Sequence, residues 1–329
     1  IVFASLLNKG IRGSLVFLVL IFLISAVLIY FSPVSLETNT DSGLFFNYLV
    51  NKISNKAVIL SLNFVFIGLG VFLTGLILIN QEIVEKSNYF SVFLFLILSI
   101  ISVNPLQINP QLFTNIFILF SINKLISIYR QERVLSQIFE AAFCLSFSAF
   151  ITISSIITLP IFFITLIILR SFNWREWVIA IVGIFAPLFI YEGVAYLSGY
   201  NSWYLFEAIA FYFKNLSKPI ISEYYFPILF LLFVLLLISV IKSFLINFGN
   251  TIKKQRTKLL FVSVLLFNTF GFFSKGATGS SIILTYALPL SFFIGDFLYE
   301  IKQKKIVNTI LTLILLCLAV IFAGQMGAI

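Results

Sequence analysis

Apolar residues run along this chain in long blocks, each ended by a short polar break. The blocks are too long for strands and too evenly apolar for the one-sided helices of a soluble fold. A helix that crosses a bilayer needs about 20 mostly apolar residues, within a range of about 17–25. Eleven blocks predict spans on that basis: 14–31, 57–79, 90–103, 111–126, 138–154, 156–170, 177–197, 225–246, 259–273, 280–298 and 306–324. The expected fold is all-α, a polytopic transmembrane helical bundle forming one domain over 1–329. The third to sixth blocks are short. Their breaks fall at Asn104-Pro105, Asn109-Pro110 and Ser154-Ser155, where proline removes an N–H and restricts the residue before it. Two short helix pairs, 90–126 and 138–170, are therefore expected as hairpins that cross only part of the membrane. The first block begins after Lys9 and Arg12 and has no small-residue cleavage site behind it, so it is read as a retained span.

Composition turns this pattern into a class. Of 329 residues, 61% are hydrophobic and 10% charged, and 41 are Phe. Soluble domains have about 45–50% apolar and about 25% charged residues. The excess must face lipid, because a water-soluble surface needs a polar skin. Cys144 and Cys317 lie inside apolar blocks and read as small buried hydrophobes. There is no His, so the commonest metal ligand and general base are missing.

The net charge of +9 reports orientation rather than a nucleic-acid partner. With the N-terminus in the cytoplasm, the inner loops carry sixteen of the 21 Lys and Arg residues. The outer segments carry five: Lys52, Lys56, Lys214, Lys218 and Lys275. That bias has the expected sense, and a missed span would have inverted every later loop. The C-terminus is then periplasmic, in a bacterial inner membrane.

Two outer loops, 32–56 and 198–225, are long enough to hold a site. Leu44, Phe45, Tyr48, Leu49 and Ile53 in the first recur at helical spacing. So do Trp203, Phe206, Ile209, Ala210 and Phe213 in the second. Helices of this kind lie in the membrane interface, and many simply seal a bundle. No nucleotide loop, Walker pattern or zinc spacing occurs. Glu37 and Asp41 are the candidate catalytic pair, four residues apart and on one face if the segment is helical. Such carboxylates take a proton from an acceptor hydroxyl or hold a divalent cation; equally, Asp41 caps a helix starting at Ser42. The five outer lysines are candidates for a lipid-linked phosphate, with headgroup contact as the plainer alternative. Lys275 stands in the small-residue segment Ser274-Lys275-Gly276-Ala277-Thr278-Gly279 before a span, where exposed N–H groups favour an anion. Glu192 lies within a span and is a functional candidate by its cost there. Asp296 and Glu300, beside Lys302, read as local ion pairs.

Several segments resemble known proteins in style. Ser5-Leu6-Leu7-Asn8-Lys9, Asn109-Pro110-Gln111-Leu112-Phe113-Thr114-Asn115 and Arg170-Ser171-Phe172-Asn173-Trp174-Arg175-Glu176-Trp177 resemble an uncharacterised family of bacterial polytopic inner-membrane proteins. More distantly, the arrangement is similar to the C-type, polyprenyl-phosphate-sugar-dependent glycosyltransferases. Those have a first span, an acidic outer loop with interface helices, short paired helices, and basic and Trp residues before a span ending in Pro, as at Arg175, Trp177 and Pro187. The resemblance implies that Glu37 or Asp41 is the acid-base or cation ligand and that the outer lysines hold a lipid phosphate. The expected partners are membrane lipids and a polyprenyl-phosphate-linked sugar. Two other readings compete: a non-enzymatic subunit of an envelope secretion or motility complex, and a transporter. The transporter is the weaker, because few charges fall inside the spans and no repeat is visible.

Overall fold

A computed structural model describes residues 18–26, 29, 55–85, 88–103, 108–197, 210, 214, 221–245, 251–271 and 279–325. Every element among them is helical, with no strand. Helical backbone covers 18–26. Then come α1 (Lys56–Gly75), which continues as a π-turn over Leu76–Asn80, α2 (Phe90–Ile100), α3 (Pro110–Ser127) and α4 (Leu135–Ile151). A 3-10 stretch, Ile153–Thr158, leads into α5 (Leu159–Leu169), followed by α6 (Trp174–Leu197). A short 3-10 turn, Glu223–Tyr225, opens α7 (Phe226–Leu245). The chain ends in α8 (Ile252–Gly271), α9 (Gly279–Glu300) and α10 (Lys304–Gln325).

Five of these are long and apolar enough to cross a membrane: Lys56–Asn80, Trp174–Val194, Glu223–Leu245, Ser280–Glu300 and Lys304–Gly324. They fall on five of the expected spans. The other apolar helices are shorter. All eleven residues of α2 are buried. At a 1.5 Å rise it is only about 16 Å long, so it is a core element rather than a full crossing. A helix apolar on every side has no face for water, and α2 lies inside the bundle, chiefly against α9 and α1. Gly295 of α9 makes this approach feasible: a Cβ there would land on the Ser91 backbone.

The helices of the two short pairs also pack on elements outside their pairs. After α2, α3 packs mainly on α4 and α1, while α5 packs on α8. Each apolar helix needs covering all round, so sequence neighbours such as α3 and α4 pack together and helices from elsewhere in the chain complete the cover. A second close seam, α4 on α6, is made by small residues. Ala141, Ala142 and Ala180 are fully buried, and Gly183 comes so near Phe139 that a Cβ would sit 2.9 Å from its carbonyl oxygen.

Helix starts follow capping chemistry. Asn55 Oδ1 accepts the Ala57 N–H (3.0 Å) at α1. Asn109 Oδ1 accepts the Gln111 N–H (2.9 Å) at α3, with Pro110 in the first turn. Asn109 also joins three elements: its Nδ2 donates to the Ser102 carbonyl (2.7 Å), and its N–H donates to Asn63 Oδ1 on α1 (3.1 Å). The Asn109-Pro110 break is therefore a buried junction as well as a helix start. Pro187, expected to end its helix, instead lies inside α6. The break at Ser154-Ser155 is the 3-10 stretch. Helix α8 begins seven residues before its apolar block, which was expected over 259–273.

Candidate functional site

The two ends of the bundle carry different chemistry. At one end, charged groups far apart in sequence meet. Lys254 Nζ lies 2.9 Å from Asp296 Oδ2, Lys242 Nζ 3.3 Å from Glu300 Oε2, Lys124 Nζ 2.7 Å from Glu140 Oε2, and Arg170 Nε 3.1 Å from Glu176 Oε2. Asp296 and Glu300 thus reach across to α8 and α7 rather than pairing locally with Lys302, because the helix turns them into the bundle. Two arginines close the carbonyl ends of neighbouring helices. Arg256 donates to the Ile168 and Leu169 carbonyls (3.1 and 3.0 Å), and Arg170 to those of Ile128 and Gln131 (3.0 and 2.7 Å). Cations there complement the helix dipoles and the orphan carbonyls. Lys253 donates to Gln81 Oε1 (2.9 Å), whose amide donates to Asn123 Oδ1 (3.3 Å). Burial pushes the Lys253 ammonium below its ordinary value, with nearby Glu82 opposing the shift. Tyr299 donates to Glu85 (2.7 Å). Every contributor belongs to a segment expected on the inner side or its margin.

A neutral cavity runs through the bundle interior, from Gln111 towards the opposite end down to Leu125, beside the ion-paired Lys124. Gln111, Asn115 and Ser121 of α3, Thr158 and Thr165 around α5, Asn268 of α8 and Thr285 of α9 share it with apolar side chains. Its volume is about 40 Å³, room for about two or three waters. Gln111 Nε2 donates to Thr285 Oγ1 (3.0 Å). Asn268 Nδ2 donates to the Thr285 carbonyl (3.2 Å). That bond has a local cause: Pro289, four residues on, has no N–H to give this carbonyl. Ser121 Oγ is fully buried and has no hydrogen-bond partner among the described residues. The cavity can bind water or a small neutral group; among the described residues no cluster of His, Cys, Asp or Glu stands ready for a metal.

Three of the expected site residues are described. Lys56 opens α1 and is half-buried, Lys214 is exposed, and Glu192 is half-buried near the C-terminal end of α6. By the direction of their helices, Lys56 and Glu192 lie at the end opposite the ion pairs. Glu37, Asp41, Lys52, Lys218 and Lys275 lie outside the described residues. The cavity amides escaped the sequence reading, although Gln and Asn inside apolar blocks at 111, 115 and 268 were a visible signal.

A model of the family described as "Family of unknown function (DUF6427)" matches residues 43–329. The chain belongs to the DUF6427 family. The match begins after Glu37 and Asp41 and takes in every helix from α1 to α10. No curated protein and no solved structure matches the chain.

Proposed function

We propose that this DUF6427 member is a glycosyltransferase-like integral membrane protein acting at the outer face of a bacterial inner membrane. The donor is a polyprenyl-phosphate-linked sugar. The carrying observation is the segregation of chemistry between the two ends. Ion pairs gather at one end, which we assign to the cytoplasm by the positive-inside rule. The other end holds Lys56 and Glu192, and the cavity amides Gln111 and Asn268 lie towards it. In this reading Glu37, Asp41, Lys52, Lys218 and Lys275 belong to that end as well. In this reading Asp41 or Glu37 takes the acceptor proton or holds a divalent cation, and the lysines neutralise the lipid phosphate. The about eleven spans and the C-type arrangement belong to the same proposal.

The test is transfer from a labelled polyprenyl-phosphate sugar in proteoliposomes. Asp41→Asn or Glu37→Gln should lower turnover by at least about 100-fold, with thermal unfolding unchanged. Full activity in both variants sinks the reading.

One observation favours a second reading, a non-enzymatic envelope subunit. Helix α6 turns Val182, Phe185, Phe189, Ile190, Val194 and Leu197 outward, an apolar face open to a partner helix. Stoichiometric crosslinking from position 189 to one co-purified membrane protein, in a preparation without transferase activity, would establish it.

A further inference from the structure

The ion-paired end also carries cations that its ion pairs leave over. Two turns meet there, and Arg170 ties them together. Its guanidinium donates to the Ile128 and Gln131 carbonyls in the turn between α3 and α4, and its Nε lies 3.1 Å from Glu176 in the first turn of α6. The same two turns present Arg130, Arg133 and Arg175, all exposed. Neighbouring carboxylates do not cancel them. Glu140 pairs with Lys124, and Glu176 is buried against Arg170. Glu132 is exposed and forms no ion pair among the described residues. Three exposed guanidinium groups therefore stand against one exposed carboxylate.

Two of the three are held by rings. Arg175 lies over Trp174, 5.8 Å from the ring centroid, and Arg130 over Tyr129 at 5.4 Å. Tyr129 also receives Arg256 at 5.5 Å, so two cations share one ring. Arg130 holds φ at 59°, a left-handed conformation that suits glycine and strains an arginine. The surroundings impose it: Arg170 grips carbonyls on both sides of Arg130. Strain of this kind persists where the structure over-determines it, often at binding positions.

The surface lies where a membrane span begins. Helix α6 is long and apolar enough to cross a membrane from Trp174 onward. Trp174, Val178, Ile181 and Phe185 are all exposed and recur at helical spacing, so the outward apolar stripe ends on Trp174. Phe172, just beyond it, is 76% exposed. Helix α4 packs beside α6 and opens its own exposed stripe with Leu135 and Phe139, directly after Arg133. Aromatic rings at the end of a span sit at headgroup level. Arginines continuous with such stripes meet lipid phosphates, and their excess positive charge favours a lipid of net negative charge.

We propose that Arg130, Arg133 and Arg175, beside Trp174 and Phe172, bind the phosphate of an anionic glycerophospholipid whose acyl chains lie along the outward stripes of α4 and α6. The site rests on α6 crossing the membrane from Trp174. It is independent of the transferase reading, whose residues belong to the other end, and its test has no activity readout.

The experiment is native mass spectrometry of the purified full chain, delipidated and then titrated with phosphatidylglycerol or phosphatidylcholine. Phosphatidylglycerol should bind at least about ten-fold tighter. Arg175→Gln should weaken its binding about five-fold, and the triple variant Arg130→Gln, Arg133→Gln, Arg175→Gln should erase the preference. Arg175→Gln alone carries the test if the triple variant does not fold. Arg130→Gly separates binding from folding: it relieves the left-handed strain, so the melting temperature of the lipid-free protein should rise while phosphatidylglycerol binding weakens. The control is Lys304→Gln with Lys305→Gln, which removes two exposed cations where α10 begins, four residues after the ion-paired Glu300. It should leave the preference intact. Four results overturn the proposal: equal affinity for the two lipids, full preference in the arginine variants, a loss in the lysine control as large as in the triple variant, or displacement of the lipid by equimolar inorganic phosphate, which would assign the arginines to a soluble anion.

Discussion

The ion-paired end and the amide-lined end solve one problem, polar groups near a membrane interior, by different means. At the first, full charges are cancelled by partners from distant helices, as Lys254 meets Asp296 and Lys242 meets Glu300. At the second, neutral amides and hydroxyls settle the backbone itself: Asn109 caps α3, and Asn268 serves the carbonyl that Pro289 leaves over. Charges are tolerated where one partner exactly opposes another in sign and water or headgroups are near. Farther in, neutral donors do the same work at lower desolvation cost. The comparison predicts that a lost charge partner at the first end should destabilise more than a lost amide at the second.

The largest effect is expected at Asp296, only 7% exposed. Asp296→Ala strands the Lys254 ammonium and should cost about 3 kcal/mol. The double variant with Lys254→Met should recover most of it. Chemical unfolding of all three in detergent measures the coupling, and a double variant no better than the single would break the comparison. At the neutral end, Asn109→Ala removes the α3 cap and the tie to the Ser102 carbonyl. The expected loss is about 2 kcal/mol by the same measurement. A loss larger than that of Asp296→Ala would reverse the ranking. The smallest effect should be a gain. Glu82, after the π-turn at the charged end, holds φ at 57°, a left-handed conformation that costs a non-glycine residue about 1–2 kcal/mol. Its side chain is exposed, so Glu82→Gly should raise stability by up to about 1 kcal/mol. A drop in melting temperature would show that the Glu82 charge beside Lys253 matters more than the strain.

Much of this was legible along the chain, and the parts that were not share a cause. The five long spans could be read because apolar length against bilayer thickness is a local property. The common side of the cationic loops was likewise legible, since Lys124, Arg170, Lys242, Lys254 and Arg256 do converge at one end. Which distant helices complete the cover of the short helices within 90–126 and 138–170 was not legible, because sequence order does not say what else comes to lie against a helix apolar all round. Of the candidate site, Lys56 and Glu192 lie at the same end, Lys214 is exposed, and the other five residues fall outside the described residues.

By itself, then, the sequence determined the solvent: 61% apolar residues in long blocks require lipid, and helices are the way for an uninterrupted chain to satisfy its backbone there. Tertiary structure alone decided the pairings. Which carboxylate meets Lys254, which amide answers Pro289, and whether a glycine is a packing contact, as at Gly295, or has nothing against it among the described residues, as at Gly75, depend on what lies opposite. Side-chain chemistry sets what each residue needs, and only the assembled bundle determines what comes within reach to meet it.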